Sequence, residues 1–203
     1  MKKKDLEIFL EKVPNFPDPK INLEQYKTPA YIAADMLYQA FLKEDIQDKC
    51  VLDLGCGTGI FAVGASMLHA KNVKGFDIDE ACILQAIQFA KDHQLDLSFT
   101  VTDIEDVDQK GDTAIMNPPF GAQKKNKHAD RIFMKKALSL CPVVYSLHLE
   151  YTWPFMQKLI RALQANTMIV ASYQFPIKGS YFFHKHLVSS VPIILLRTTR
   201  LDL

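Results

Sequence analysis

The sequence is 203 residues long with a formal net charge of +1 at pH 7, and it is 48% hydrophobic and 23% charged. These fractions exclude a disordered, coiled-coil or collagen-like chain, and the length suits one domain that needs no disulfide or metal for its stability. The near-neutral net charge argues against a surface that is basic throughout and binds polyanions. No apolar run reaches the roughly 18 residues of a membrane helix, so no transmembrane helix is predicted. None of the four cysteines forms a CxxC pair, so a zinc or redox motif is not predicted.

The chain begins with two predicted helices. Four apolar residues recur at the spacing of one helical face: Leu6, Phe9, Leu10 and Val13. A connector with three prolines follows, and Thr28-Pro29 then predicts a second helix, with Thr28 as N-cap and Pro29 at the first helical position, running to about Leu42. We interpret residues 1–45 as an N-terminal helical extension.

From residue 50 onwards, short apolar runs alternate with helical patterns. The predicted strands are Cys50–Leu54, Val73–Asp77, Leu97–Val101, Thr113–Met116, Val143–Leu147, Thr167–Ser172 and Val191–Thr198. The predicted helices run from about Thr58 to Leu68, through Ile83, Ala86, Ile87 and Ala90, over Ala129–Leu140 and over Trp153–Leu163.

The alternation indicates an α/β fold with a mostly parallel, seven-stranded sheet. The strands are continuous apolar runs, which is typical of a sheet covered by helices on both faces. Pro192 fits only at the start or edge of a strand. Residues 46–203 are therefore predicted to form one structural unit.

A glycine-rich turn follows the first strand. Half of the eight glycines fall within ten residues: Gly55, Gly57, Gly59 and Gly64. Such a turn lets a ligand approach the backbone, and the helix N-terminus after it favours anions. Asp77 ends the next strand, where a carboxylate can accept hydrogen bonds from ribose hydroxyls. These features predict a nucleoside-containing ligand. The GxGxG spacing and the lack of room for a substrate domain favour S-adenosylmethionine (SAM) over a dinucleotide.

A second loop, Asn117-Pro118-Pro119-Phe120, follows the fourth strand and is expected at the same edge of the sheet, with Asp103 between the two loops. The prolines hold its backbone rigid and free of N–H donors. Its carbonyls and the Asn117 side chain can accept hydrogen bonds from an amino group, and Phe120 can stack on a planar ring. The loop therefore predicts transfer of a methyl group to a conjugated amine.

Several motifs resemble one family of amino-methyltransferases. They are Leu23-Glu24-Gln25-Tyr26-x-Thr28, the glycine loop, Gly75-Phe76-Asp77-Ile78-Asp79-Glu80, Ile115-Met116-Asn117-Pro118-Pro119-Phe120-Gly121, Val144-Tyr145-Ser146-Leu147-His148 and Phe183-His184-Lys185. Over almost the whole chain, the sequence is similar to the methyltransferase-like protein 5 family of small-subunit rRNA adenine-N6 methyltransferases. The resemblance implies a Rossmann-like class I fold and SAM as the cofactor.

Motifs and resemblance together assign residues to three sites. The cofactor site comprises Gln25, Thr28, Asp53, Gly55, Gly57, Thr58, Gly59, Ile60, Asp77, Ile78, Asp103, Ile104 and Asn117. The catalytic residues are Asn117, Pro118, Pro119 and Phe120, which would hold an adenine flipped out of the RNA. The RNA-binding residues are Lys124, Lys125, Lys127, His184 and Lys185. No metal site is predicted.

The resemblance alone implies a heterodimer with a small zinc-binding activator subunit. We expect no membrane association, because no apolar run is long enough for a membrane helix. We expect an intracellular protein, cytoplasmic or nuclear, because the cysteines stand isolated in apolar settings.

Four alternatives stay open. A protein glutamine-N5 methyltransferase acting on a release factor uses the same loop, although usually with Tyr in place of Phe120. DNA adenine and RNA guanine-N2 methylation are two others, and a non-enzymatic scaffold in ribosome assembly is the fourth.

Overall fold

The computed structural model describes residues 1–121, 126, 128–178 and 188–201. Within them the strands form one seven-stranded sheet in the order β3-β2-β1-β4-β5-β7-β6. The strands are β1 Cys50–Leu54, β2 Asn72–Asp77, β3 Ser98–Val101, β4 Thr113–Met116, β5 Val143–Leu149, β6 Ala165–Lys178 and β7 Val188–Arg200. The first five strands in that order pair in parallel, and β7 is antiparallel to both of its neighbours. The predicted mostly parallel sheet is confirmed.

Helices cover both faces of the sheet. They are α1 Lys3–Leu10, α2 Ala30–Leu42, α3 Ile60–Met67, α4 Glu80–Asp92, α5 Ala129–Leu140 and α6 Trp153–Ala162. Consecutive strand residues point to opposite faces, so Val51 packs in the core beneath α1, α2 and α3, whereas Leu52 packs in the core beneath α5 and α6. Because both faces of the sheet are buried, the strand sequences are nearly continuous apolar runs.

Two helices begin later than the sequence predicts. Helix α2 begins at Ala30 with Pro29 as its N-cap, and because proline has no polar side-chain atom, no side chain caps the helix; the Thr28 hydroxyl instead accepts a hydrogen bond from Asn117 Nδ2. Helix α3 begins at Ile60 rather than near Thr58, because Gly59 adopts a left-handed φ of +88° that cannot continue a right-handed helix.

The last two strands are longer than predicted. The final β5–β7 pair joins Leu149 to Ile193, but β6 and β7 stay paired for five further rungs, from Gln174 opposite Pro192 onwards. Pro192 therefore lies where β7 lacks its β5 neighbour, which is the edge position that a residue without an N–H requires. These rungs form a hairpin arm (residues 174–178 and 188–192) beyond the edge of the sheet where the parallel strands end.

None of the helices in the described part of the chain is both long and apolar enough to cross a membrane. Across the same residues, no cluster of three or more His, Cys, Asp or Glu side chains could hold a metal ion.

Candidate active site

A cavity of about 250 Å³ lies at the edge where the parallel strands end. It is lined by most of the predicted site residues, namely Gln25, Thr28, Gly55, Gly57, Thr58, Ile60, Asp77, Ile78, Asp103, Ile104, Asn117, Pro118, Pro119 and Phe120. Strands β1, β2, β3 and β4 run parallel, so their C-terminal ends meet at one edge of the sheet. This arrangement brings the predicted site residues together. One cavity thus joins the glycine loop to the Asn-Pro-Pro-Phe loop.

Two predicted cofactor residues lie outside the cavity lining. Asp53 is fully buried beneath the glycine loop, where its Oδ2 accepts a hydrogen bond from the Ala62 N–H at 2.9 Å. Gly59 turns the chain into α3, and a Cβ there would lie 3.0 Å from the Phe99 ring. Their place in the cofactor site stays a prediction, and in the structure each contacts the protein interior behind the loop.

Gly57 is where the loop needs glycine most clearly. Its φ is +53°, and a Cβ would lie 2.9 Å from the ring of Phe16. Its N–H donates a 2.7 Å hydrogen bond to Asp77 Oδ2, which ties the loop to the end of β2. A side chain at this position would separate the loop from Phe16.

Asp77 accepts backbone hydrogen bonds from two directions. Gly57 bonds Oδ2, and the Asp79 N–H donates to Oδ1 at 2.9 Å. Burial raises the pKa of the Asp77 carboxyl, and these backbone bonds oppose the shift. Each carboxylate oxygen has a second lone pair, so Asp77 retains capacity to accept from hydroxyl groups of a ligand.

The Asn117 side chain has one satisfied end and one unsatisfied end. Its Nδ2 donates a 3.0 Å hydrogen bond to Thr28 Oγ1. Its Oδ1 is buried and has no hydrogen-bond partner among the described residues. Phe120, three residues later, meets the buried ring of Phe175 edge to face, with 5.7 Å between the ring centroids. The loop thus presents the Asn117 Oδ1 acceptor, which has no partner among the described residues, close in sequence to the Phe120 ring that packs on Phe175.

The connector between α1 and α2 closes the cavity from the other side. Thr58 Oγ1 donates to the Pro14 carbonyl at 2.8 Å. Gln25 Nε2 donates to Asp79 Oδ2 at 2.7 Å, while Lys20 Nζ forms a 2.8 Å ion pair with Asp79 Oδ1. The Gln25 amide and the Thr58 hydroxyl therefore already donate hydrogen bonds to other residues of the protein, although both residues line the cavity.

Sequence reasoning missed part of the lining. The additional residues are Phe16, Leu23, Glu24, Tyr26, Lys27, Cys56, Phe61, Phe76, Thr102, Asn126, Ala129 and Phe133. Some of these residues belong to the motifs described above. Phe16 and Phe133 are apolar residues whose spacing is typical of core packing, so the sequence gives no sign that they line a cavity. The predicted RNA-binding residues Lys124, Lys125, Lys127, His184 and Lys185 lie outside the described residues.

Comparison with known proteins identifies the family. The methyltransferase small domain family matches residues 31–152. The rRNA N(6)-adenosine-methyltransferase METTL5 of Danio rerio is 37% identical, over 98% of this chain and 99% of that one. The chain belongs to the METTL5 family.

Two further comparisons match the chain over almost its full length. An uncharacterized protein of Methanocaldococcus jannaschii is 38% identical over 99% of this chain and 95% of its own. The crystal structure of a proposed RNA methyltransferase from Pyrococcus horikoshii superimposes with a TM-score of 0.88 at 32% identity, covering 100% of this chain and 99% of that one. The Rossmann-like class I methyltransferase fold expected from the sequence is confirmed.

SAM is the methyl donor of this family, and the cavity fits it. The Asp77 carboxylate could bind ribose hydroxyls, and Ile78 and Ile104, which also line the cavity, could make apolar contact with the adenine ring. Phe16, which also lines the cavity, packs so closely on the glycine loop that a Cβ at Gly57 would meet its ring.

The buried Asp53 predicts a pH-dependent stability. Burial raises the pKa of Asp53 from its ordinary value of 3.8 to about 8. Between these values the unfolded chain has released the proton and the folded chain keeps it. The free energy of unfolding should therefore fall as the pH rises from about 4 to about 8.

Urea unfolding at pH 5, 6.5 and 8 of the wild type and Asp53→Asn checks this, because asparagine is neutral throughout and keeps an oxygen for the Ala62 N–H. The pH slope should be shallower in the variant, and the comparison cancels the other titrating groups. Parallel curves for the two proteins would contradict the assignment.

Proposed function

We propose that this protein transfers a methyl group from SAM to the N6 amino group of an adenine in small-subunit rRNA. The observation that carries the proposal is the Asn117 carboxamide, whose buried Oδ1 has no hydrogen-bond partner in the described chain. A buried acceptor without a partner costs roughly 1–3 kcal/mol, so it indicates a ligand that donates to it. The exocyclic amine of adenine is such a donor.

The chemistry needs an acceptor here because an adenine amine is a poor nucleophile. Its lone pair is conjugated with the ring, and acceptors for both N–H hydrogens draw the nitrogen towards tetrahedral geometry. Asn117 Oδ1 serves one hydrogen and a carbonyl of the Asn-Pro-Pro-Phe loop serves the other. Pro118 and Pro119 have no N–H, so the loop presents acceptors without a competing donor.

Phe120 holds the flipped base by stacking, a contact worth about 1–3 kcal/mol per base. The buried Phe175 ring, which lies nearly perpendicular to the Phe120 ring, keeps Phe120 from rotating away.

SAM supplies an electrophilic methyl group on a positively charged sulfur. The protein holds the donor through Asp77 at the ribose, Asp103 with Ile104 at the adenine, and the glycine loop. As the N–C bond forms, the S–C bond breaks with its electron pair on sulfur, and the amine then loses a proton to water. Placing the two reactants in line accounts for much of the rate.

The basic cluster after Phe120 is proposed to contact the RNA backbone. Reversing the charge of Lys124, Lys125 and Lys127 should weaken RNA binding and reduce the slope of log affinity against log salt, by about 0.7 for each phosphate of a single-stranded RNA that the variant no longer neutralises. Titration at three salt concentrations measures this slope. If the slope of the triple variant equals that of the wild type, the cluster makes no phosphate contacts.

We also infer that a small zinc-binding activator subunit forms a heterodimer with this chain inside the cell. An open sheet edge supports this inference: β3 is an outer strand, and the apolar side chains of Val101 on β3 and Leu84 on α4 are exposed. The free thiols of Cys50, Cys56, Cys82 and Cys141 support an intracellular, cytoplasmic or nuclear, location.

Labelling with tritiated SAM tests the substrate. Small-subunit ribosomal RNA, translation release factor and DNA are offered to the enzyme in separate reactions. We expect the label in RNA. Label in the release factor instead would support glutamine-N5 methylation, and the absence of SAM binding with and without an activator would support the scaffold alternative.

A further inference from the structure

The hydrogen bond between Thr28 and Asn117 joins the N-terminal extension to the catalytic loop. The two residues are 89 positions apart in sequence, yet Asn117 Nδ2 lies 3.0 Å from Thr28 Oγ1. Thr28 is only 4% exposed, so water cannot readily replace its hydroxyl. Both side chains line the same cavity.

The direction of the Asn117 carboxamide decides whether the site works. A carboxamide has a donor end and an acceptor end of nearly the same shape. With Nδ2 bonded to Thr28, Oδ1 is left for the amine of the substrate. In the reverse orientation, an NH₂ group would face the NH₂ group of adenine, and two donors would oppose each other.

Thr28 is well placed to hold this direction. Pro29 restricts its backbone to extended conformations, and the Ala33 N–H bonds the Pro29 carbonyl in the first turn of α2. Ile32 and Ala33 are buried in the core, so this turn is fixed against the rest of the protein.

We propose that Thr28 is a positioning residue for methyl transfer: its hydroxyl accepts from Asn117 Nδ2 and so turns Oδ1 towards the amine that receives the methyl group. This role differs from the direct cofactor contact that sequence resemblance implies for Thr28. The proposal rests on the proposed function and concerns the same site.

The test compares Thr28→Val with Thr28→Ser. Valine keeps the shape but removes the hydroxyl, so kcat should fall roughly tenfold, while the Kd for SAM and the KM for RNA stay within about twofold. Serine keeps the hydroxyl and should restore most of the rate. A parallel loss of SAM affinity in Thr28→Val would overturn the proposal in favour of a cofactor contact, and so would an unchanged kcat or an equally slow Thr28→Ser.

A second measurement separates orientation from packing. In the Asn117→Asp background, either carboxylate oxygen can accept from the amine, so adding Thr28→Val should lower kcat by less than about threefold. A full tenfold loss in that background would mean that Thr28 acts through packing. Failure of the proposed function would be distinct, because the wild-type protein itself would then not label RNA.

Discussion

Replacing Asn117 by alanine should lower kcat for methyl transfer by at least about 100-fold and leave the affinity for SAM nearly unchanged. One precisely placed polar group at a reacting centre is worth about 100- to 1,000-fold in rate. The variant removes the buried Oδ1 that has no partner in the described chain, together with the Nδ2 that bonds Thr28. Single-turnover kinetics and calorimetric titration of SAM measure the two quantities separately.

Asn117→Asp is the matched control, because it keeps an oxygen acceptor and replaces the amide donor by a second, negatively charged carboxylate oxygen. It should retain much more activity than Asn117→Ala. Strong loss of SAM binding in Asn117→Ala would show that the side chain belongs to the cofactor site instead. A rate close to that of the wild type would remove Asn117 from the mechanism.

Replacing Asp77 by alanine should weaken SAM binding by about 1–3 kcal/mol, or roughly 5- to 150-fold in Kd, because the hydrogen bonds to the ribose are removed. The weakening has a second source within the protein. The N–H groups of Gly57 and Asp79 both bond this carboxylate, so the glycine loop loses its tie to the end of β2. Calorimetric titration of SAM measures the change.

Asp112→Ala serves as the control for Asp77→Ala. The Asp112 carboxylate also accepts a backbone hydrogen bond, from the Cys50 N–H at 2.7 Å, but it lies at the opposite end of β1 from the cavity. The Asp112→Ala substitution should leave the Kd for SAM unchanged. Equal Kd values for Asp77→Ala and the wild type would refute the ribose contact.

Much of the fold was predictable because its signals are local. The strands Cys50–Leu54 and Thr113–Met116 and the helix Ala129–Leu140 have the same bounds in the prediction and in the structure. Each is a continuous apolar or amphipathic segment bounded by polar residues or turns. Strand β5 runs two residues further than predicted, because a polar His148 looks like the end of a strand, whereas in the structure it is buried and bonds Ser146 Oγ at 2.9 Å.

The cavity was predictable to the extent that its residues follow strand ends. Asp77 and Asn117 each end or follow a parallel strand, so topology alone brings them together. The contacts made by the connector depend instead on how α1 and α2 pack. Neither the bond from Thr58 to Pro14 nor the approach of Phe16 to Gly57 has a signal in the spacing of the residues.

The side-chain hydrogen bonds of the site could not be predicted from the sequence either. Motif resemblance places Gln25 and Thr28 near SAM, but it cannot tell that the Gln25 amide bonds Asp79 or that the Thr28 hydroxyl bonds Asn117. Those partners are 54 and 89 residues away, and only the folded chain shows which polar atom remains for a ligand.

Methylation of small-subunit ribosomal RNA with methyl-deuterated SAM tests the central claim most directly. After the reaction, the RNA is digested to nucleosides and analysed by mass spectrometry, with Asn117→Ala as the inactive control. We predict deuterated N6-methyladenosine with the wild-type protein and none with the variant. Deuterated methyl groups on guanine or on ribose, or no deuterated N6-methyladenosine with the wild-type protein, would contradict the account.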